Sequence, residues 1–251
     1  MSKLKKAVTI LGMFARAVAD KGGRHHLVKS LRAYINQSDA ECPCCGYSGK
    51  FWTHGYTARI GVACPRCGSI DRHRLITLAA TDGFFDLSGR RVLHFAPEQA
   101  VAKLVRSFGP AEYRTADISP GRADMVVNIE AIHLPDSSVD VVIASHILEH
   151  VDDRKALSEI RRILSPGGQM IAMVPLIEGW PKSYEDSARR LPDERAAHFG
   201  QPDHVRYYGS DFRDRIRQSG FSLNEFTAEG AESVRYRLNR GEKVFLATKL
   251  D

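Results

Sequence analysis

Every cysteine of the chain falls between Glu41 and Gly68, in the two clusters ECPCCG and CPRCG. Cys42 and Cys45 form one Cys-x-x-Cys pair, and eighteen residues separate it from a second pair, Cys64 and Cys67. This spacing fits a four-thiolate zinc site, in which two tight knuckles bring their sulfurs onto one tetrahedral ion. A glycine directly after each pair allows the chain to turn sharply there. Cys44 lies between the members of the first pair, too close to Cys42 to be its partner on the ion, and is read as a non-ligand. A redox Cys-x-x-Cys is the rival reading; two matched pairs with matched prolines and glycines favour metal. A closed four-cysteine site leaves no open coordination position, so its expected role is structural, supplying folding energy to a module too small to fold alone.

A second concentration of reactive side chains is HFGQPDHVRYYG (198–209), which holds His198, Gln201, Asp203, His204, Arg206 and Tyr207. Asp203 beside His204 is a candidate orienter and general base, with His146 a further catalytic candidate. The plainer reading is a loop ordered by hydrogen bonds and a salt bridge such as Asp203–Arg206. His150 is read as structural.

These residues need elements to position them. From residue 90 onward, apolar runs alternate with helical stretches. RVLHFA (91–96) reads as a buried strand and EQAVAKLVRSF as the helix after it. AEYRTADIS gives a second strand ending at Asp117, ADMVVNIE a short third, and VDVVIASHILEHV a fourth that runs into a helix. After the helix RKALSEIRRIL, the turn SPGG leads to a fifth strand, QMIAMVP. SDFRDRIRQSG then predicts a helix, and FSLNEFTA and KVFLATK two last strands. Continuous apolar strands alternating with helices predict an α/β fold with a doubly wound, mainly parallel seven-stranded sheet, preceded by a small zinc ribbon. Ligands on such sheets bind beyond the carboxyl ends of the strands. Residues 176–209 form a polar, aromatic insertion too long for a plain connection, expected to act as a lid or substrate wall. The expected organisation is a helical arm at 1–38, the ribbon with its linking helix at 39–80, and the main domain at 81–251.

The run LPDSSVDVVIASHILEHVDDRKALSEIRRILSPGGQMIAMVP (134–175) resembles the class I S-adenosylmethionine-dependent methyltransferases of the small-molecule type. The resemblance covers roughly residues 88–251. It implies a cofactor site in which Asp117, with Ile118 beside it, accepts from the ribose hydroxyls. Asn128 then faces the adenine amino group, Ile129 lies on the adenine face, and Ser145 and His146 meet the methionine part. The first loop departs from the family. Where that pattern has an acidic residue and then glycines, this chain has HFAPEQA, so His94 stands for the acid and Ala96 for the first glycine. Pro97 removes one backbone donor, and Glu98 is expected to compensate by holding the cofactor's amino group.

The net charge of +6 is concentrated in the arm: residues 1–38 carry eight Lys and Arg against Asp20 alone, which leaves the rest of the chain at −1. Leu4, Val8, Leu11, Ala15 and Val18 have helical spacing, so the arm is read as an amphipathic helix that packs on its own domain or contacts a membrane surface or partner through residues 1–20. Arg16 and Gly12 interrupt the apolar stretch and argue against a signal peptide. A thiolate site suits a reducing compartment, so the cytoplasm is expected, with the inner membrane face as a second location. The expected activity is methyl transfer to a small-molecule or glycan hydroxyl. Two alternatives are an RNA or protein methyltransferase that docks its substrate through the ribbon, and a non-catalytic binding protein with a degenerate cofactor loop. Lys50, Arg59, Arg66, Arg72 and Arg74 are the candidate RNA patch, although the body has no basic surplus.

Overall fold

The computed structural model describes residues 35–55 and 59–250. The basic arm, apart from its last few residues, lies outside them. No helix among the described residues is long and apolar enough to cross a membrane.

The ribbon consists of two small hairpins. Strands β1 (Ala40–Cys42) and β2 (Tyr47–Gly49) pair antiparallel, as do β3 (Trp52–His54) and β4 (Arg59–Ala63). Its own buried apolar cluster is Ala40, Cys42, Phe51 and Cys64. A second small cluster joins Val62 and Ala63 of β4 to Ile70, and together these few side chains bury far less apolar surface than ordering the hairpins costs in chain entropy.

Helix α1 (Asp71–Thr81) follows, then β5 (Arg91–Phe95), α2 (Gln99–Ser107), β6 (Glu112–Asp117), β7 (Met125–Val126) and β8 (Val139–Ser145). After a 3-10 turn at Leu148–His150 come α3 (Asp153–Ile163) and β9 (Leu164–Met173). The insertion carries β10 (Tyr184–Glu185), α4 (Pro192–Phe199) and β11 (Arg206–Tyr207). The chain closes with α5 (Phe212–Gln218), β12 (Phe221–Phe226), α6 (Gly230–Arg235) and β13 (Val244–Lys249).

Seven strands form one sheet in the order β12-β13-β9-β8-β5-β6-β7, in which β13 alone runs against the others. Strand residues alternate between two buried layers, as they must when both faces of a sheet are covered. Val142, Ala144, Met170, Ala172, Phe245 and Ala247 face the layer that holds α3 and α5. Val141, Ile143, Ile171, Met173, Val244 and Leu246 face α1 and α2. The predicted doubly wound sheet is thus the observed one. Helix α1, expected as a linker, contributes Leu75, Ile76, Leu78 and Ala79 to that second layer.

Two local expectations change. SPGG is no free turn before a strand: residues 165–168 bulge within β9, so that Val139 pairs with Leu164 while Val141 pairs with Gln169. The helix expected directly after β8 is the short 3-10 turn, and the α-helix begins only at Asp153, capped by Asp152, whose Oδ1 accepts from the Lys155 N–H at 3.2 Å.

Candidate active site and metal centre

The donor atoms of Cys42, Cys45, Cys64 and Cys67 all lie within 4.8 Å of one another. Sγ of Cys42 is 3.7 Å from that of Cys67, and Sγ of Cys45 is 3.6 Å from that of Cys64. Sulfurs at the corners of a tetrahedron around zinc, with bonds of about 2.3 Å, stand about 3.8 Å apart, so these residues fit the ion. Gly46 and Gly68 adopt φ of +70° and +72°, and their N–H groups donate to the carbonyls of Cys42 and Cys64, closing both knuckles. Cys44 points away, its sulfur 3.2 Å from the Thr77 hydroxyl on α1.

At the carboxyl ends of the central strands, two residues without the freedom of glycine hold left-handed backbone: Ala96 at φ +44° after β5 and His146 at φ +54° after β8. Such strain persists only where surrounding structure enforces it, and it concentrates at functional sites. Here each N–H is tied to a neighbouring strand: Ala96 donates to Ala116 at 2.7 Å and His146 to Met173 at 2.8 Å. Ala96 therefore keeps the backbone shape of the glycine for which it stands. Replacing Ala96 with glycine is expected to raise stability by about 0.5–1 kcal/mol, the left-handed penalty of alanine less the greater chain entropy of glycine, measured by urea unfolding.

Asp117 sits at the end of β6, where one carboxylate oxygen accepts the Ser119 N–H at 2.7 Å; the other is not so engaged. Ile118 beside it is 69% exposed, an apolar platform next to an acceptor. Asn128 is exposed, and its side-chain oxygen accepts from the Glu130 N–H at 2.9 Å, while Ile129 is buried in the core. Ser145, half-buried, ends β8. His94 is buried beneath the first loop with Nδ1 2.9 Å from the Tyr113 hydroxyl; burial pushes it down to about 4, so it is neutral and does not replace the family acid electrostatically.

Glu98 is not the free acceptor that the sequence implied. Arg72 forks across its carboxylate, and His73 Nε2 lies 2.9 Å from the same group. Nδ1 of His73 accepts the Ile70 N–H, which directs its other nitrogen at Glu98. Burial opposes ionisation of Glu98, but the His73 and Arg72 hydrogen bonds outweigh it and hold the carboxyl at about 2, against an ordinary 4.5. Because the folded value is depressed, this stabilisation is full above about pH 4.5 and disappears as pH falls toward 2. Glu98→Gln should therefore cost stability at neutral pH and flatten the acid-unfolding curve across that window. An unchanged curve would contradict the pairing.

The lid folds over the ends of β8 and β9. A cleft of about 1040 Å³ lies there, lined by ribbon residues His54 and Arg59, by Arg72 of α1, by His146, and by Asp203 and Glu242. The nucleoside residues proposed from sequence, Asp117, Asn128 and Ile129, are not part of its lining. The expected Asp203–His204 dyad does not form. Asp203 faces His150 instead, with Oδ2 3.4 Å from Nδ1, and His204 is buried with Nδ1 3.2 Å from the Phe199 carbonyl. Nor does Asp203 pair with Arg206, whose guanidinium turns inward to the carbonyls of Leu148 and Val151 and toward Asp153 and Glu185. Residues 201–204 form a turn in which the His204 N–H donates to the Gln201 carbonyl, leaving Asp203 exposed while His204 is buried. His146 lies between Glu149 and Glu242, each 3.3 Å away. Burial disfavours its charge, but the two carboxylates prevail and push it up to about 9. At neutral pH it is an imidazolium, suited to positioning and not to accepting a proton.

Arg72, His73, Glu149 and Glu242 are absent from the sequence-derived site; Arg72, His73 and Glu242 act through partners distant in the chain, and Glu149 faces His146 three residues before it. The arginines expected as an RNA patch are engaged: Arg74 is fully buried, Arg72 holds Glu98, Arg59 pairs with Asp71, and Arg66 donates to the Cys45 carbonyl.

Residues 89–172 match the family profile described as a methyltransferase domain. A probable S-adenosylmethionine-dependent methyltransferase of Mycolicibacterium smegmatis is 36% identical over 87 residues, which cover 34% of this chain and 30% of that protein. The ubiquinone/menaquinone biosynthesis C-methyltransferase UbiE of Pasteurella multocida is 28% identical over 141 residues, covering 53% of this chain and 52% of its own length. The chain thus spans about a third to a half of the curated relatives it matches. Among solved structures, a chain of the complex between the Haloferax volcanii Trm112 methyltransferase activator and a methyltransferase superposes with a TM-score of 0.53 at 19% identity, over 72% of this chain and 92% of that one. An S-adenosylmethionine-dependent methyltransferase of Mesorhizobium loti gives 0.51 at 15% identity, over 68% and 96%. At these identities the likeness is one of fold, and the fold is the Rossmann-like methyltransferase sheet.

Proposed function

We propose that this chain, whose residues 89–172 form a methyltransferase domain, is an S-adenosylmethionine-dependent methyltransferase acting on a hydroxyl of a small molecule or glycan. The observation that carries the reading is the grouping of Ala96, Asp117 and His146 at the carboxyl ends of three adjacent strands, β5, β6 and β8, two of them in glycine-like backbone. Asp117 would hold the ribose hydroxyls with its less engaged oxygen, the exposed Ile118 would flank the adenine, and Asn128 with the Ile129 backbone would meet its edge. Ser145 and His146 would bound the methionine end. When bound, the cofactor supplies an electrophilic methyl group on a sulfonium. The chain's part is alignment: methyl transfer is an in-line displacement whose barrier falls when donor and acceptor are held in register. The cleft beside His146 has the position for an acceptor, and the lid has the polar side chains to orient one.

Zinc on Cys42, Cys45, Cys64 and Cys67 would fix the ribbon wall of that cleft and take no part in chemistry. The RNA alternative draws little from the ribbon arginines: Arg59 pairs with Asp71, and Arg66 directs one N–H to the Cys45 carbonyl.

Calorimetry with S-adenosylmethionine and its demethylated product tests the reading, with saturable binding of one equivalent expected. Asp117→Ala should weaken that binding at least several-fold, since a charge-assisted hydrogen bond contributes about 1.5–3 kcal/mol. Equal affinity for the two proteins would displace the ribose site, and no binding by the wild type would remove the enzyme reading.

A further inference from the structure

We propose a second metal site, distinct from the four cysteines, in which Glu149, His150 and His204 bind a divalent transition-metal ion between the 3-10 turn after β8 and the lid. One ligand atom from each of these residues lies within 4.8 Å of the others. Donors on one tetrahedral ion with bonds of about 2.0–2.2 Å stand about 3.3–3.6 Å apart, so side-chain shifts of up to about an ångström would close the set.

Three independent features prepare these groups for a cation. Glu149 is 1% exposed and neither carboxylate oxygen accepts a hydrogen bond. His146 Nδ1 approaches one of them to 3.3 Å without hydrogen-bond alignment. A buried carboxylate that accepts no hydrogen bond is costly, and its ionic neighbour His146 is shared with Glu242. His204 is 3% exposed, and its Nδ1 faces the Phe199 carbonyl at 3.2 Å. A proton is therefore held at Nδ1 and Nε2 presents its lone pair, the arrangement by which an outer hydrogen bond orients a metal-binding imidazole. His150 has the corresponding outer partner in Asp203, at 3.4 Å.

The two halves of the site are also fastened together before any ion arrives. The Val205 N–H donates to the Glu149 carbonyl at 2.9 Å. Arg206 donates to the carbonyls of Leu148 and Val151, and the buried Tyr208 hydroxyl lies 3.0 Å from the Leu148 carbonyl and 2.9 Å from the Asp153 carboxylate, to one of which it donates its single proton. The polar residues flanking His204 thus hold the lid on the turn that carries Glu149 and His150, the rigid support a ligand set requires.

Two imidazoles and a carboxylate suit Zn, Fe, Co, Ni or Mn, and with three protein ligands an ion keeps open positions. Asp203, the outer partner of His150, lines the large cleft, whereas His150 itself lines a smaller hollow beside Glu130, Glu185 and Arg215. Water or another small oxygen donor reaching the ion from that hollow would fill the open positions.

The test adds Co2+ to the zinc-loaded, full-length protein, following visible absorption of the nitrogen- and oxygen-ligated ion while zinc in the tetracysteine site is counted separately. Wild type should take up one equivalent of Co2+ saturably. Glu149→Gln and His204→Gln should bind it at least about 100-fold more weakly, beyond the loss from removing an outer partner alone. Zinc should stay at one per chain. If either variant fails to fold, His150→Ala, at a partly exposed position, gives the same comparison. Absence of saturable uptake up to about 1 mM, or unchanged affinity in the variants, overturns the site. Calorimetry with S-adenosylmethionine on the same samples separates the two readings: cobalt binding without cofactor binding keeps the metal site and removes the transferase, and the converse removes the metal site alone.

Discussion

Cys64→Ser is expected to unfold the ribbon and to abolish turnover, while the affinity for S-adenosylmethionine falls by no more than a few-fold. The asymmetry follows from where each part stands. Zinc binding to small four-ligand modules contributes about 10–16 kcal/mol, and that binding energy is folding energy, because no site exists in the unfolded chain. The ribbon has two small buried apolar clusters, Ala40, Cys42, Phe51 and Cys64 in one and Val62, Ala63 and Ile70 in the other, far less than the metal can supply. Its residues His54 and Arg59 form one wall of the cleft, whereas Asp117 and Ala96 are set by the main sheet. Loss of zinc should therefore open the acceptor side and spare the nucleoside side. Metal content, circular dichroism and cofactor calorimetry on the variant and on chelator-treated wild type check this. A Cys64→Ser protein that keeps its zinc and its activity would remove the tetracysteine site. Cys44→Ser, by contrast, should leave zinc at one per chain.

The second large effect is expected at Arg74. Its guanidinium is fully buried and donates to the carbonyls of Val62 and Ser69 in the ribbon segment and of Tyr236 and Arg237 after α6, with its face 4.8 Å from the Phe51 ring. Arg74→Met keeps the bulk and removes every donor, leaving four carbonyls to find others. The expected loss is about 3–5 kcal/mol, read from urea unfolding. Arg74→Lys should recover little, because three donors on one nitrogen cannot reach both sides of the fork. A loss under about 1 kcal/mol for Arg74→Met would mean that water replaces the guanidinium freely.

Much of this was legible in the sequence for a definite reason. Strands such as VDVVIAS and QMIAM are apolar on both sides, a pattern that only a doubly covered sheet accommodates, and the cysteine spacing encodes its own geometry. What could not be read were pairings between distant residues. Glu98 looked available because nothing near it in the chain is basic; Arg72 and His73 arrive from 26 and 25 positions away, along α1. Asp203 and His204 look like a dyad because they are adjacent, yet the turn at residues 201–204 sends them apart, to His150 and to the Phe199 carbonyl. Glu149 was passed over as part of a family motif, and its missing donors are visible only once the lid is in place. The helix at Pro192–Phe199 lacks a strong apolar stripe, burying only Phe199, and so read as part of a polar loop.

The passage of α1 from the ribbon into the main core bears on engineering. Its first turn grips Glu98 at the start of α2, its middle carries Arg74, and its apolar side is part of the layer under the sheet. The ribbon is consequently not a cassette. A chimera that exchanges residues 39–70 for another zinc module would strand Arg74 without the carbonyls of Val62 and Ser69, and one that moves the ribbon elsewhere would leave Tyr236 and Arg237 uncapped. Recombination that preserves folding should cut instead after Thr81, carrying ribbon and helix together with the α6 segment that receives them.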